Sequence, residues 1–456
     1  VSSISQSAAS VGTFNTYSAT EISDSGSIPS VVYDTNSDRI VVFYADDANS
    51  EYGTAVVGTV SSGSISFGTA VVFESSKTQF ISAVFDSSNN KIIVAYTEYD
   101  DSRAGNCVVG TVDPSDNSIS FGSEAEFAAD ARPKSMAFDS SNNKALIVYK
   151  DGNQNANARV GTVSGTSISF GSPVVFESAT TTYIGMGYDS GNQRVVIGYQ
   201  DGGNSAHGTV IVGTVSGTSI SFGSANRFYA TTSKWFDVVY DSAEEKVVVC
   251  FTEGDSNGRA VVGTVNPSDN SITFGSTQAF DGNQCEEISA VYDVAHAKTV
   301  IVYKDTGDSS VGKAVVGTVS GGGVSFGTPV TFNAASTIGM QPSHGIAFDS
   351  SNNKVVIVYK DGGNSNYGTA IVGTVDPSDN SISFGSEAVF ESAHTTFPNV
   401  TFDSSANKVL ISYCDYGDSS KGKAIVGTVS GTSISFGSAA EFEGGDVNHE
   451  TLMSTF

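Results

Sequence analysis

Positive charge is scarce in this chain. Its 22 Lys and Arg face 48 Asp and Glu, for a formal net charge of −26. Nucleic acid is bound by Lys and Arg that displace its counterions, and anionic membrane surfaces attract the same residues, so neither is an expected partner. No apolar run reaches the roughly 20 residues of a membrane-spanning helix, which argues against membrane insertion. Only four cysteines are present, Cys107, Cys250, Cys285 and Cys414, with no CxxC spacing. That excludes a thiolate metal cluster or a disulfide framework and predicts buried free thiols. Strong helix formers are few, and Trp235 is the only tryptophan. The acidity itself reads as solubility in a salty medium or as divalent-cation binding.

What the chain has in quantity is Gly, Ser, Thr and Val, with 49 Gly, 27 Phe and 18 Tyr. Such a composition favours strands and turns and supplies a large core. One motif of about 52 residues recurs eight times: Gly-Thr-Val, a short turn, then a version of Ser-Ile-Ser-Phe-Gly. Its first Gly falls at Gly58, Gly110, Gly161, Gly213, Gly263, Gly317, Gly373 and Gly427, and its second at Gly68, Gly122, Gly171, Gly223, Gly275, Gly327, Gly385 and Gly437.

Each unit reads as four strands joined by hairpin signals at regular spacing. Strand a ends in an aromatic followed by Asp, as in Phe85-Asp86. Strand b is a continuous apolar run such as KIIVAY, strand c is AVVGTV in its commonest form, and strand d is SISFGS with the residues after it. A strand apolar on both faces is sandwiched between sheets, whereas strand d alternates as expected nearer solvent. Small residues four positions before the strand-a Asp (Ser30, Ser82, Ser135, Gly185, Ser289) suit a crowded centre. The prediction is an all-β chain forming a β-propeller of eight four-stranded blades in one ring, with strand a innermost, since radial repetition protects sheet edges. It forms one repeat domain: 1–27 a degenerate outer strand, 28–442 the eight repeats, and 443–456 a ninth inner strand or a latch for the ring.

The recurring acids suit turns. Asp34, Asp86, Asp139, Asp189, Asp241, Asp293, Asp349 and Asp403 close strand a, and a basic residue follows five positions later. They are expected to cap the a–b turn and to form a weak surface pair with that basic residue. A second acid opens every b–c loop. Several loops add a further oxygen, and Asp361 with Asn364, or Asp415 with Asp418, are candidate calcium ligands, since calcium takes oxygen donors; otherwise these acids cap the hairpin. Variation concentrates in the d–a loops. Six residues before the strand-a Asp stand Ile28, Phe80, Pro133, Tyr183, Trp235, Glu287, Ser343 and Phe397. A variable rim on a constant frame suits binding, and Phe80, Tyr183, Trp235 and Phe397 are candidate sugar-stacking platforms; they could equally plug the channel or pack between blades. The histidines are scattered and the arginines form no cluster, so no catalytic site is predicted and the chain reads as a non-enzyme.

The phrases GTAIVGTVSGTSISFGS and FDSSNNKVVIVYKDGGNS resemble repeats of tail-fibre and other virion structural proteins of marine bacteriophages. The resemblance covers about Ile28 to Phe442 and carries no catalytic residues. It implies a virion or extracellular module that contacts a host cell-surface glycan or other virion proteins, with a homo-oligomer in a larger assembly as a further expectation. The alternatives are a purely architectural fibre or decoration protein and a propeller glycoside hydrolase.

Overall fold

A computed structural model describes residues 30–445, except 62 and 339–344, and residues 453–455. Among these, eight antiparallel units follow one another in the order a, b, c, d. Unit two is representative. Its strand a is the second half of Val71–Asp86, strand b is Lys91–Glu98, strand c is Ala104–Asp113, and strand d is Ser118–Phe121 continued by Ala125–Ala128. Asp86 pairs with Lys91, Glu98 with Ala104, and Asp113 with Ser118. Strand d bends after its Phe, so its two halves cover both ends of strand c, Phe121 opposite Gly110 and Ala125 opposite Cys107.

The expected d–a loop is corrected at four crossings. Val71–Asp86, Asn226–Asp241, Gln278–Asp293 and Ala388–Asp403 are each a single 16-residue strand. The first half pairs with strand c of one unit and the second with strand b of the next, as when Val71 faces Ala55 and Thr78 faces Glu98. The two ladders follow one another along the strand, interrupted by bulges, so the chain needs no loop to change sheets.

Strand b alternates between its two neighbours. Val41 and Phe43 pack with Ile92, Val94 and Tyr96 of unit two, while Ile40, Val42 and Tyr44 pack with Leu410, Ile425 and Phe442 of unit eight. That period of two, apolar on both faces, is what the KIIVAY-type runs encode. Strand a lies against strand a of the next unit; the Asp237 carboxylate, for instance, accepts the Ala290 N–H at 2.8 Å. Inner strands in mutual contact and sheets packed face to face make this a β-propeller.

The glycine of Ser-Ile-Ser-Phe-Gly has a steric cause. A Cβ on Gly122 would run into the Thr166 carbonyl in the c–d turn of the next unit, and Gly68, Gly171 and Gly385 meet Asn117, Thr218 and Thr432 in the same way. Gly437 of unit eight meets the Gly63 carbonyl of unit one. With Phe442 against Tyr44 and Phe67, this contact closes the ring. Met453–Thr455 then pairs in parallel with Ser30–Val32, on the free edge of the first inner strand. The degenerate strand expected at the amino terminus lies outside the described residues.

A second inter-unit contact was not anticipated. The tyrosine ending strand b bonds an acid on the outer strand of the preceding unit: Tyr303 to Asp281 at 2.8 Å, Tyr413 to Glu391 at 3.0 Å, and Tyr199 to Glu177 at 3.3 Å. Each tyrosine is buried beside a phenylalanine ring, as Tyr303 is beside Phe280, so its hydroxyl needs such a partner.

Candidate functional site

The recurring acids cap turns as expected. Asp86 accepts the N–H groups of Ser88 and Asn89 at 3.0 and 2.9 Å and the Asn89 amide at 2.8 Å. The basic residue five positions on has a different role from the expected pair in units one and four. Arg39 donates to Asn117 Oδ1 at 2.7 Å and to the Pro114 carbonyl, and Arg194 donates to Asn270 at 2.7 Å. The guanidinium reaches across the sheet gap to these carbonyl and amide oxygens, and the same amide oxygens also accept the Thr59 and Thr214 hydroxyls, so these contacts tie each unit to the next.

The candidate calcium ligands do not gather around a vacant position. Asp361 accepts the Gly363 N–H at 2.9 Å and the Asn333 amide at 3.2 Å, and Asn364 donates its own N–H to the Asp361 carbonyl. Asp415 accepts the Asp418 N–H at 3.1 Å. The Lys423 ammonium stands 2.6 Å from Asp415 and 3.0 Å from Asp418, so it already occupies the place of a cation there.

The rim position six residues before the strand-a Asp is built by a β-bulge. Gln79 pairs with Thr97 and Ser82 with Ala95, so Phe80 and Ile81 together face Tyr96. Tyr183-Ile184, Trp235-Phe236, Glu287-Ile288 and Phe397-Pro398 repeat this two-against-one arrangement. The second residue of each pair is buried in the seam between units. The first adopts a left-handed backbone, with φ of 50° at Phe80 and Tyr183, 55° at Trp235, 53° at Glu287 and 52° at Phe397. Bulges of this kind usually put glycine there, and a bulky residue costs roughly 1–3 kcal/mol. The four aromatics are half-buried. Ile28 and Ser343 lie outside the described residues.

The ring brings two of these platforms together. Tyr183 and Trp235, on consecutive units, lie 5.7 Å apart between ring centroids, tilted by 55°. Trp235 packs against the core shared by units five and six. Lys234 beside it holds Asp255 at 2.7 Å, and Gln200 donates to the Ser233 carbonyl at 2.7 Å. Phe80 lies under the Lys134 ammonium, 5.0 Å from the ring centroid. Further round, Lys304 lies 3.4 Å from both Glu286 and Glu287, and burial lowers the Lys360 ammonium below the usual lysine range. His394 packs on Tyr416 at 4.7 Å, away from the Tyr183–Trp235 pair. Lys134, Lys304 and Lys360 escaped the sequence reading. Alignment of the residue before each b–c acid, which varies among Thr97, Lys150, Gln200, Thr252, Lys304 and Lys360, would have exposed the charged part of this rim.

No protein-family model matches the chain, and no curated protein is significantly similar to it. Solved structures share the fold. Sqt1 from Chaetomium thermophilum superposes with a TM-score of 0.54 at 10% identity, covering 95% of this chain and 99% of that one. The BP39L lectin from Burkholderia pseudomallei gives 0.52 at 8% identity, over 79% and 98%. A putative 6-phosphogluconolactonase from Bacteroides fragilis gives 0.50 at 10% identity, over 74% and 91%. The last corrects the sequence expectation of a non-enzyme. A protein described as a 6-phosphogluconolactonase carries this architecture, and scattered His and Arg are no ground for excluding hydrolysis from it.

Proposed function

We propose that this propeller binds carbohydrate at the inner rim, and that it does so on a virion or other extracellular surface in contact with host glycans. The observation that carries the reading is the Tyr183–Trp235 pair, two half-buried aromatics held at strained positive φ on neighbouring bulges. Strain of this kind persists where the surrounding fold imposes it, and it concentrates at ligand sites. An aromatic face covers the C–H face of a sugar, while groups such as Lys234 and Gln200 reach its hydroxyls. A lectin's use of the same fold is compatible with this reading. Each site would be weak, and repetition on a surface would supply avidity.

Trp235 provides the test, because its emission is the only tryptophan signal. Titration with a panel of saccharides should shift that emission to the blue, and Tyr183→Ala should abolish the shift while leaving the melting temperature within a few degrees. Product analysis on the same samples separates binding from turnover. If no saccharide changes the emission and a glycan array is blank for the parent protein, the carbohydrate reading falls and an architectural role replaces it.

A further inference from the structure

The seam between consecutive units holds a recurring polar node whose occupant changes. Just inside the start of strand c, units five, six and eight carry Arg259, Lys313 and Lys423. Each meets the acid that ends strand b: Arg259 lies 2.6 Å from Glu253, Lys313 lies 2.6 Å from Asp305, and Lys423 lies 2.6 Å from Asp415. Lys313 also reaches Asp308 at 3.2 Å and Asp281, on the strand crossing from unit five, at 3.8 Å. These nodes carry their cation in the sequence.

Unit two differs. Asn106 takes the place of the lysine, on strand c directly after the Gly105 that corresponds to Gly312. Around it are three acids: Glu74 from the strand crossing from unit one, Glu98 at the end of strand b, and Glu124 in the bend of strand d. Oxygens of the three carboxylates all lie within 4.8 Å of one another. Their observed partners are neutral. Tyr96 bonds Glu124 at 2.7 Å and Glu74 at 3.2 Å, and Ser76 and the Asn106 amide nitrogen donate to Glu98 at 2.8 and 3.0 Å. Three carboxylates at this spacing repel one another unless a proton or a cation lies between them.

A separate observation points to a ligand. Asn106 is 2% exposed, and its amide is anchored in the cluster through Glu98, yet its Oδ1 has no hydrogen-bond partner. A buried acceptor oxygen without a donor carries a desolvation penalty, which a cation removes. All available donors are hard oxygens, with no His or Cys among them, and calcium takes such ligands in a flexible shell completed by water.

We propose that Glu74, Glu98, Glu124 and Asn106 Oδ1 bind a calcium ion, which does in unit two what the lysine ammonium does in unit six and fastens the strand crossing from unit one. The test is thermal unfolding of the full chain in chelator and in rising CaCl2, with calorimetric titration of CaCl2. The expected result is a midpoint that climbs with calcium concentration, one ion bound at this site, and a weaker response to MgCl2. Asn106→Lys should abolish the calcium response and raise the chelator midpoint towards that of the loaded parent, because it restores the internal cation. Glu98→Gln should weaken binding roughly tenfold or more, since ligand charge sets affinity. The proposal is overturned by an identical parent midpoint in chelator and in millimolar calcium, by a stronger response to magnesium, or by a calcium response that survives unchanged in both variants.

Discussion

Ring closure can be tested at a single glycine. Gly385→Ala places a methyl against the Thr432 carbonyl of the next unit, and Gly437→Ala places one against the Gly63 carbonyl across the join between units eight and one. Overpacking of this kind costs about 1–3 kcal/mol. Any shift that relieves it also stretches the Gly385 N–H bond to Val372 O at 3.0 Å, or the Gly437 N–H bond to Val426 O at 3.1 Å, each worth about 0.5–1.5 kcal/mol. The expected loss is therefore about 2–4 kcal/mol for either variant. An unfolding entropy of about 2.1 cal/mol/K per residue makes 1 kcal/mol worth about 1 °C in a cooperative ring of this length, so the midpoint should fall by about 2–4 °C. Gly282→Ala is the control. No atom lies within 4 Å of its added Cβ, and the change should be neutral or should stabilise by up to about 1 kcal/mol. Urea titration and calorimetry read all three. If Gly437→Ala behaves like Gly282→Ala while Gly385→Ala destabilises, the eighth unit does not pack on the first and the closed ring is wrong. If neither differs from the control, the steric account of the repeated glycine fails.

The buried thiols of Cys107, Cys250, Cys285 and Cys414, with burial raising Cys107, Cys250 and Cys285 above the usual thiol range, should ignore Ellman's reagent in the native protein, and four should react after unfolding. Tyr413→Phe removes the donor to Glu391 and should cost about 1–2 kcal/mol in urea titration. Lys313→Met strips the cation from fully buried Asp305 and should cost about 3 kcal/mol; a neutral outcome would mean that this node is hydrated. Burial, with Asp46 nearby, raises the Glu443 carboxyl, so the folded state holds its proton more tightly than the unfolded chain does. Stability should therefore fall as pH rises from the ordinary carboxylate range through this raised value, and Glu443→Gln should flatten that part of the profile.

Much of the frame was legible because it is local. Two-sided apolar strand b, the Asp-capped a–b turn and the tight c–d turn each follow from a few adjacent residues, and eight copies make the pattern unmistakable. What was missed depends on the next unit. Nothing in the ESSKTQF segment (74–80) says that its first half belongs to one sheet and its second half to another, so a loop was expected where a continuous strand runs. The bulge was hidden for the same reason: Phe80 reads as one more strand residue until its register against Tyr96 is known. The Arg39 guanidinium could not be assigned to Asn117, 78 residues away, when Asp34 stood opposite it in its own hairpin.

The repeat is also an internal control for function. Where one position has the same backbone setting in several units, a particular side chain there cannot be needed for the fold as such, because other units fold without it. The left-handed bulge residue varies among Phe80, Tyr183, Trp235, Glu287 and Phe397, so backbone geometry alone does not call for an aromatic there. The same holds for the seam, where Arg259, Lys313 and Lys423 neutralise their acids while Asn106 faces three glutamates. Both departures place chemistry where a purely structural repeat would have kept a constant residue. They lie at different radii, the aromatic pair on the inner strands and the glutamate cluster in the seam between units. Variants at the aromatic pair of units four and five should therefore leave the proposed cation site of unit two intact, and variants at the glutamate cluster should leave the proposed carbohydrate site intact; loss of one response by a variant at the other would show that the two are coupled through the ring.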